Sequence, residues 1–400
     1  MLKEVELSKS GYNKLISGEK GLYLKDFNEI GRSFIPGQWI KLKTKEGFFG
    51  FINVNIDKGP VFRCVGRSES LQQNEDEFAK FIITRNILSA LDYRSKFKRF
   101  SEGARLIFGD EDSLPGLIVD SYKNIVIVQI NTAGIDRYRD LVKEVLEENL
   151  DREVYFLDND EYRANELLPR FNETQIDKDI LIEESGIKYS IPASHMQKIG
   201  YYYDHRDNRD KMKLRLLDYK GQLKKGVDLF SYVGSWGLHA LKGNVEYVDF
   251  VDQANMKDVT EHHLKLNGFE GQGQFHRSDV FKFLLDAKSR NEKYDLVICD
   301  PPAFAKNENA KKSAIRGYDK LYQNIFDITE NEGLLVAASC THYISLDELD
   351  KIVLKAAQKK NYKVFVQDIG IQGSDHNLET LNSKSNYIKY ILYYVRYGEV

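Results

Sequence analysis

Apolar and polar positions along this chain fall into three textures. Up to about residue 72, short apolar runs at 39–42, 48–52 and 61–65 are separated by Gly, Asp and Lys, which is the pattern of short strands joined by turns. The polar stretch LQQNEDEFAK (71–80) connects this β-rich module to helical spacing over 78–91. A second module follows. Strand-like runs at 105–108 and 117–119 flank the turn-rich GDEDSLPG, 125–130 alternates with β-branched residues, 137–150 has helical spacing, and further strands are expected at 154–157 and 180–183. Strands, helix and strands again predict an α+β module over 73–184.

From residue 185 to 400 the texture becomes regular strand–helix alternation. Strands are predicted at 226–230, 247–251, 273–276, 294–299 and 333–338, each followed by a helical segment. Short apolar strands separated by helices imply right-handed βαβ units and a mostly parallel sheet. Two more strands, 363–368 and 387–395, are joined by GIQGSDHNLETLNSKSN, which is too irregular for a crossover helix. The last strand of a seven-stranded sheet is therefore free to run antiparallel. The expected fold class is α/β, with the β-rich and α+β modules preceding it. Internal repeats and low-complexity tracts are absent from the sequence.

Composition changes this picture little. With 42% hydrophobic and 30% charged residues the chain reads as a globular protein. No stretch approaches the roughly 20 apolar residues that span a bilayer, and the charged start MLKEVELSKSGYNK lacks an apolar signal core. A cytoplasmic protein with no membrane partner is expected. The 3 cysteines, Cys64, Cys299 and Cys340, show no pairing or metal-ligand spacing, so neither a disulfide framework nor a metal site is expected. A net charge of −3 does not advertise nucleic-acid binding. Two locally basic stretches with interleaved Tyr and Phe, 94–105 and 198–225, read as solvated faces or as RNA contacts.

Candidate chemistry lies at the predicted carboxyl ends of the α/β strands, where such sheets bind ligands. The first strand runs into DLFSYVGSWG (228–237), in which Gly234 and Gly237 open a strand-to-helix turn. This is not the dinucleotide G-x-G-x-x-G pattern, and it suits a small cationic ligand whose amine meets Asp228. The second strand ends at Asp252, placed to accept ribose hydroxyls, and the third leads into Asp279, placed to accept an adenine amino group. Each Asp alone reads equally well as a helix N-cap. On consecutive strands they read together as a nucleoside site. The fourth strand ends in DPPAF (300–304), which puts Asp300 on a proline-stiffened loop, and the fifth ends in SCTH (339–342), which puts Cys340 at the same crevice.

These segments together resemble the bacterial 23S rRNA cytosine-5 methyltransferases of the RlmI family. The turn 228–237, DPPAF with its tail AKNENAKKSAIRGYDKL, and SCTH carry the likeness. QKIGYYYDHRDNR (197–209) is similar to the family's cofactor-covering segment, and RLIFG (105–109) with LPGLIVD (114–120) to its central domain. The likeness is good over roughly 75–400 and weaker before that. Lys20-Gly21-Leu22-Tyr23 stand where the family usually has a His-Pro-Trp stretch. The resemblance implies a PUA-like RNA-binding domain over 1–72, a central domain over 73–184, and a Rossmann-like class I methyltransferase domain over 185–400. It further implies S-adenosylmethionine as cofactor, 23S rRNA as partner and a homodimer. The cofactor would contact Asp228, Phe230, Gly234, Gly237, Asp252, Asp279, Gln197 and Asp204.

Cytosine C5 is a poor nucleophile, and a thiolate adding at C6 activates it. Cys340 is the expected nucleophile, and Asp300 the group that contacts the base and stabilises its protonated N3. In a related two-cysteine class a second Cys follows the Pro-Pro motif. Here that position is Ala303, so the base that removes the C5 proton is another group or water. Cys299 and Cys64 read as packing residues, and His342 has no assigned role. The run 201–203 (YYY) is either core packing or includes a ring that flanks the cofactor or a flipped base. Two rivals stand beside this reading: a methyltransferase acting on another RNA base or an exocyclic amine, and a non-catalytic RNA-binding ribosome-assembly factor.

Overall fold

The computed structural model describes the chain except for residues 1, 32, 69–73, 159–161, 171–175, 197–199, 306 and 399–400. The chain divides into two compact units, Met1–Ile180 with Met196–Tyr201, and Leu181–His195 with Tyr202–Val400.

In the first unit, β1 (Lys3–Val5), β2 (Gly21–Leu22), β3 (Gln38–Leu42), β4 (Phe48–Ile52) and β5 (Phe62–Arg67) form a sheet ordered β1-β3-β4-β5-β2. Its three central strands are the runs expected from the sequence. Helix α1 (Lys9–Ile16) buries only Gly11 and Leu15, and β1 and β2 are three and two residues long, too short for a hydrophobic period to register. Helix α2 (Glu75–Ser95) starts at Asn74, whose side chain accepts the Glu77 N–H at 2.9 Å, and carries acidic residues in its first turn. β6 (Ala104–Phe108), β7 (Leu117–Ser121), β8 (Ile125–Ile130) and β9 (Glu153–Phe156) form a second sheet in that order, accompanied by α3 (Ala133–Asp136), α4 (Arg139–Asn149) and α5 (Tyr162–Asn165). Leu22, Ile40, Ile52 and Phe62 fill one cluster within the first sheet. Trp39, Phe49 and Phe51 instead join Phe78, Ile82 and Val128 in a cluster shared with the second. The contact is close: a Cβ on Gly134 would lie 2.0 Å from Phe51 Cγ, and Trp39 Nε1–H donates to the Gly134 carbonyl at 3.3 Å.

The second unit opens with β10 (Ile180–Glu184) and β11 (Ile187–Ile191), joined through Ser185 and Gly186, both at positive φ, the geometry of a tight hairpin turn. There follow α6 (Arg206–Asp218), β12 (Lys225–Leu229), α7 (Ser235–Lys242), β13 (Tyr247–Asp252), α8 (Lys257–Leu266), β14 (Gly273–Arg277), α9 (Val280–Ser289), β15 (Tyr294–Cys299), α10 (Lys311–Ile328), β16 (Thr329–Ser339), α11 (Leu346–Lys359), β17 (Tyr362–Gly370) and β18 (Lys389–Tyr397). The sequence reading grouped 180–183 with the central module. The hairpin is instead tied to the α8 region, where Ser190 N–H donates to His263 Nε2 at 3.0 Å and Lys188 N–H to Asn267 Oδ1 at 2.8 Å.

The main sheet is ordered β14-β13-β12-β15-β16-β18-β17. The pairings from β14 through β16 are parallel, and β18 runs antiparallel to both of its neighbours. The strand order reverses beside β12, so β12 and β15 lie side by side with Leu229 opposite Cys299. A ligand crevice forms at such a reversal, beyond the carboxyl ends of the strands. Among the described residues no helix is long and apolar enough to cross a membrane.

Helix α7 seats against β13 only because Gly237 lacks a side chain: a Cβ there would lie 2.2 Å from Phe250 Cε1. Gly237→Ala therefore overpacks a rigid contact, and an expected loss of about 1–3 kcal/mol is readable from urea unfolding. An unchanged midpoint would show that the α7–β13 contact yields freely.

Candidate functional site

The turn after β12 is built from residues in unfavourable backbone conformations. Phe230 (φ 63°), Tyr232 (φ 47°) and Gly234 (φ 79°) are all left-handed, and two of the three carry side chains. Hydrogen bonds hold the strain in place. Ser231 N–H donates to the Val251 carbonyl at 3.0 Å, Gly234 N–H to the Ser231 carbonyl at 2.7 Å, and Tyr232 N–H to Asp252 Oδ2 at 2.9 Å. The other Asp252 oxygen accepts the Ala254 N–H at 2.8 Å, so this carboxylate is fixed in orientation at the end of β13.

Asp228 lies underneath, fully buried. Oδ2 accepts the Gly237 N–H at 2.9 Å, and Oδ1 is buried with no hydrogen-bond partner. Burial pushes its carboxyl up to about 8, the Gly237 hydrogen bond opposes this, and the negative charges of Asp300 and Asp252 push it further up. Arg209 pulls the other way, but its guanidinium is committed to Glu184 at 2.7 and 2.9 Å. At neutral pH the Asp228 carboxyl therefore keeps its proton beside Asp252 and Asp300, and a cationic guest would displace that proton and pair with the carboxylate.

Asp300, half-buried at the end of β15, accepts Trp236 Nε1–H at 2.9 Å through Oδ2, and its Oδ1 lies 3.5 Å from His205 Nε2. Asn208 Nδ2 touches both the Ile371 carbonyl, at 2.9 Å, and His205 Nδ1, at 3.1 Å. The atom facing the carbonyl must be the amide nitrogen, so His205 Nδ1 accepts and the ring proton sits on Nε2, toward Asp300. Trp236 is in turn stacked on Tyr390 at 5.9 Å. Cys340, half-buried and one residue past β16, has Sγ 3.9 Å from the Pro301 carbonyl. The DPP loop and the SCTH loop therefore meet.

Of the residues singled out from the sequence, Asp228, Phe230, Gly234, Gly237, Asp252, Asp300 and Cys340 gather at this edge of the sheet. Gly237 contributes differently from expectation, because its missing side chain makes room for Phe250 and its N–H anchors Asp228. Asp204 is buried and accepts the Tyr387 hydroxyl at 2.8 Å. Asp279 is exposed and caps α9, accepting Lys282 N–H at 3.0 Å and Gln253 Nε2–H at 2.7 Å. Gln197 lies outside the described residues. Within the tyrosine run, Tyr201 and Tyr203 are buried, whereas Tyr202 is half-buried, packs on Tyr232 at 5.5 Å and feels the charges of Asp204, Cys340 and Asp300. The sequence reading did not find Trp236, His205 or Lys389. The first two lie inside quoted motifs, and Lys389 has no local signal because only the antiparallel register of β18 brings it here.

A chain from Streptococcus mutans assigned as a SAM-dependent methyltransferase superposes with a TM-score of 0.76 at 19% identity, over 98% of this chain and 100% of that one. A methyltransferase structure complexed with SAH superposes with a TM-score of 0.78 at 21% identity, over the same shares. The fold is that of a Rossmann-like methyltransferase. Residues 205–350 match the family model described as Conserved hypothetical protein 95. The proteins named Ribosomal RNA large subunit methyltransferase I from Aliivibrio fischeri (strain MJ11) and Aeromonas salmonicida (strain A449) are each 31% identical to it, over 72% of this chain and 73% of theirs. The chain belongs to the ribosomal RNA large subunit methyltransferase I family.

The titration of Asp228 has a measurable consequence. Its folded-state value is raised from the ordinary ~3.9 to about 8, so the folded protein binds this proton more tightly than the unfolded chain. The stability it contributes is complete below about pH 4 and is lost as pH rises toward 8. In ligand-free protein, isosteric Asp228→Asn lacks this slope. The variant's stability advantage over wild type is expected to widen between pH 5 and 8, by on the order of a few kcal/mol. Parallel urea-unfolding curves across that range would sink the assignment.

Proposed function

We propose that the protein is an S-adenosylmethionine-dependent RNA methyltransferase that forms 5-methylcytosine in large-subunit ribosomal RNA, with Cys340 as nucleophile. The observation that carries this reading is the meeting of Cys340 with the Asp300–Pro301 loop beside the acidic crevice, Sγ lying 3.9 Å from the Pro301 carbonyl. Relatives named for methylation of large-subunit ribosomal RNA support the RNA target.

The residues present fit the cofactor. Asp228 Oδ1 is a buried oxygen without a partner, in a crevice whose negative charge suits a molecule carrying both an amine and a sulfonium. Asp228 would hold the amine, the Phe230–Gly234 turn the body of the molecule, and Asp252 the ribose hydroxyls through the lone pairs its two N–H donors leave open. Asp279, Asp204 and Gln197 are proposed as outer contacts, Asp279 toward the adenine. When bound, the cofactor supplies an electrophilic methyl group.

The chain's own residues prepare the acceptor. Cys340 Sγ adds to cytosine C6 and raises electron density at C5. Asp300, oriented by Trp236 Nε1–H, hydrogen-bonds the cytosine amidine edge and stabilises its protonated N3. Tyr202, half-buried against Tyr232, would be the ring of the 201–203 run that flanks the cofactor or a flipped base. After methylation, water or another group takes the C5 proton, the C5–C6 double bond re-forms and the Cys340 thiolate leaves. The β-rich module over 1–72 is proposed to be PUA-like and to hold RNA. The acid-Pro-Pro loop also suits an exocyclic-amine target, but that chemistry gives Cys340 no role.

RNA carrying 5-fluorocytosine separates these readings, because fluorine at C5 cannot leave as a proton and traps the adduct. Wild type is expected to form a denaturation-resistant complex with such RNA, and Cys340→Ala none. Methylation of normal RNA without a trapped complex would rule out the cytosine-5 route. Asp228→Asn is expected to weaken S-adenosylmethionine binding about tenfold or more, by removing a charge-assisted hydrogen bond. Calorimetry showing equal affinity would remove Asp228 from the cofactor site.

A further inference from the structure

We propose that Lys389 is a positioning residue that keeps Cys340 in its thiolate form, the two side chains forming an ammonium–thiolate pair. This rests on the reading of Cys340 as nucleophile. The antiparallel register sets Lys389 opposite Ser339, at the end of β16 that leads directly into Cys340. The Lys389 side chain is buried. Its Nζ is held on two backbone carbonyls, that of Thr341 at 2.6 Å and that of Tyr387 at 3.1 Å. Thr341 is the residue immediately after Cys340, so the amine is tethered to the loop that carries the thiol. An ammonium has three N–H donors, and these two carbonyls use two of them.

Charge favours the pair. Burial pushes the Lys389 ammonium down to about 8, and the largest opposing influence is Cys340, followed by Glu348. An amine near that value and an ordinary thiol near ~8.5 exchange a proton at little cost. The proton passes from Sγ to Nζ, leaving thiolate and ammonium, and no further reactant is consumed. The titratable groups that face the pair are Glu348 and Glu308, His342, and the hydroxyls of Tyr202 and Tyr318, which burial keeps neutral. Glu348 on α11 pairs with Lys311 on α10 at 2.9 Å, the Tyr387 hydroxyl donates to Asp204, and His342 is held toward its neutral form by burial and by Lys389 itself. Lys389 also lines a cavity of 390 Å³ with Glu308, His342 and Glu348.

The test is the pH profile of Cys340 alkylation by iodoacetamide in the folded protein, followed at the Cys340 peptide by mass spectrometry. Cys299 is buried with its thiol held well above the ordinary range, and Cys64 is pushed up to about 11, so neither competes. Wild type is expected to show an inflection below ~8.5. Lys389→Met, of similar length, should move it upward and slow alkylation at pH 7.5 about tenfold, the effect of about one pKa unit. Lys389→Arg, permanently charged, should retain the low inflection. A wild-type profile in folded Lys389→Met overturns the proposal. If that variant does not fold, an ordinary thiol inflection in Lys389→Arg overturns it instead. Absence of a 5-fluorocytosine adduct in wild type is a separate result and removes the nucleophile reading itself.

Discussion

The hydrogen bond from Gly237 N–H to the buried Asp228 carboxylate is the constraint on which the site depends. It spans a turn in which three residues hold left-handed backbone angles, each costing on the order of 1–3 kcal/mol where a side chain is present. Such a turn persists only if something fixes both of its ends. Asp228 is fixed by β12, with strands paired on both sides, and Gly237 by its seat on Phe250. The single N–H donor also leaves the second carboxylate oxygen without a protein partner. The same contact that closes the turn therefore keeps one oxygen in reserve for a ligand.

Around that point the sheet concentrates carboxyl groups. Asp228, Asp252 and Asp300 come from three adjacent strands, and Arg209, whose charge acts on Asp228, is bound to Glu184. Crowding and burial keep a proton on Asp228 up to about pH 8, and a cationic molecule would take that proton's place on binding. Asp300 is additionally held by an indole N–H and faced by a histidine with a defined tautomer. The acid nearest the proposed reacting base is thus oriented by a side chain of the cofactor turn, whereas Asp252 is fixed by two backbone N–H groups.

Much of this was legible in the sequence because the signals are local. Strand–helix alternation located the parallel strands to within a few residues, and acidic residues at their ends marked the crevice. Cys340 and Asp300 were identifiable because each closes a strand that the pattern already defined. What was not legible depends on distance along the chain. Gly237 reads as a ligand-facing glycine until Phe250, thirteen positions on, shows why no side chain fits. Asp279 carries a second role the sequence does not separate from the first, because Gln253 and the start of α9 each occupy one of its oxygens. Trp236 and His205 acquire meaning only through Asp300, and Lys389 only through a register that joins β16 to a strand fifty residues later. The short elements β1, β2 and α1 carry too few apolar positions for any period to appear.

The position of β18 bears on how the protein is made. This strand inserts between β16 and β17 and pairs with both, so until it emerges from the ribosome β17 has no neighbour in the sheet and β16 has an open edge. Domains fold as units during synthesis, and this one cannot complete its hydrogen-bonded ladder from its first six strands. The loop bearing Cys340 stays without its flanking strand for the same interval. The edge of the sheet that leads into Cys340 is therefore closed by a strand that follows it by some fifty residues, and the site's geometry is complete only when β18 has paired.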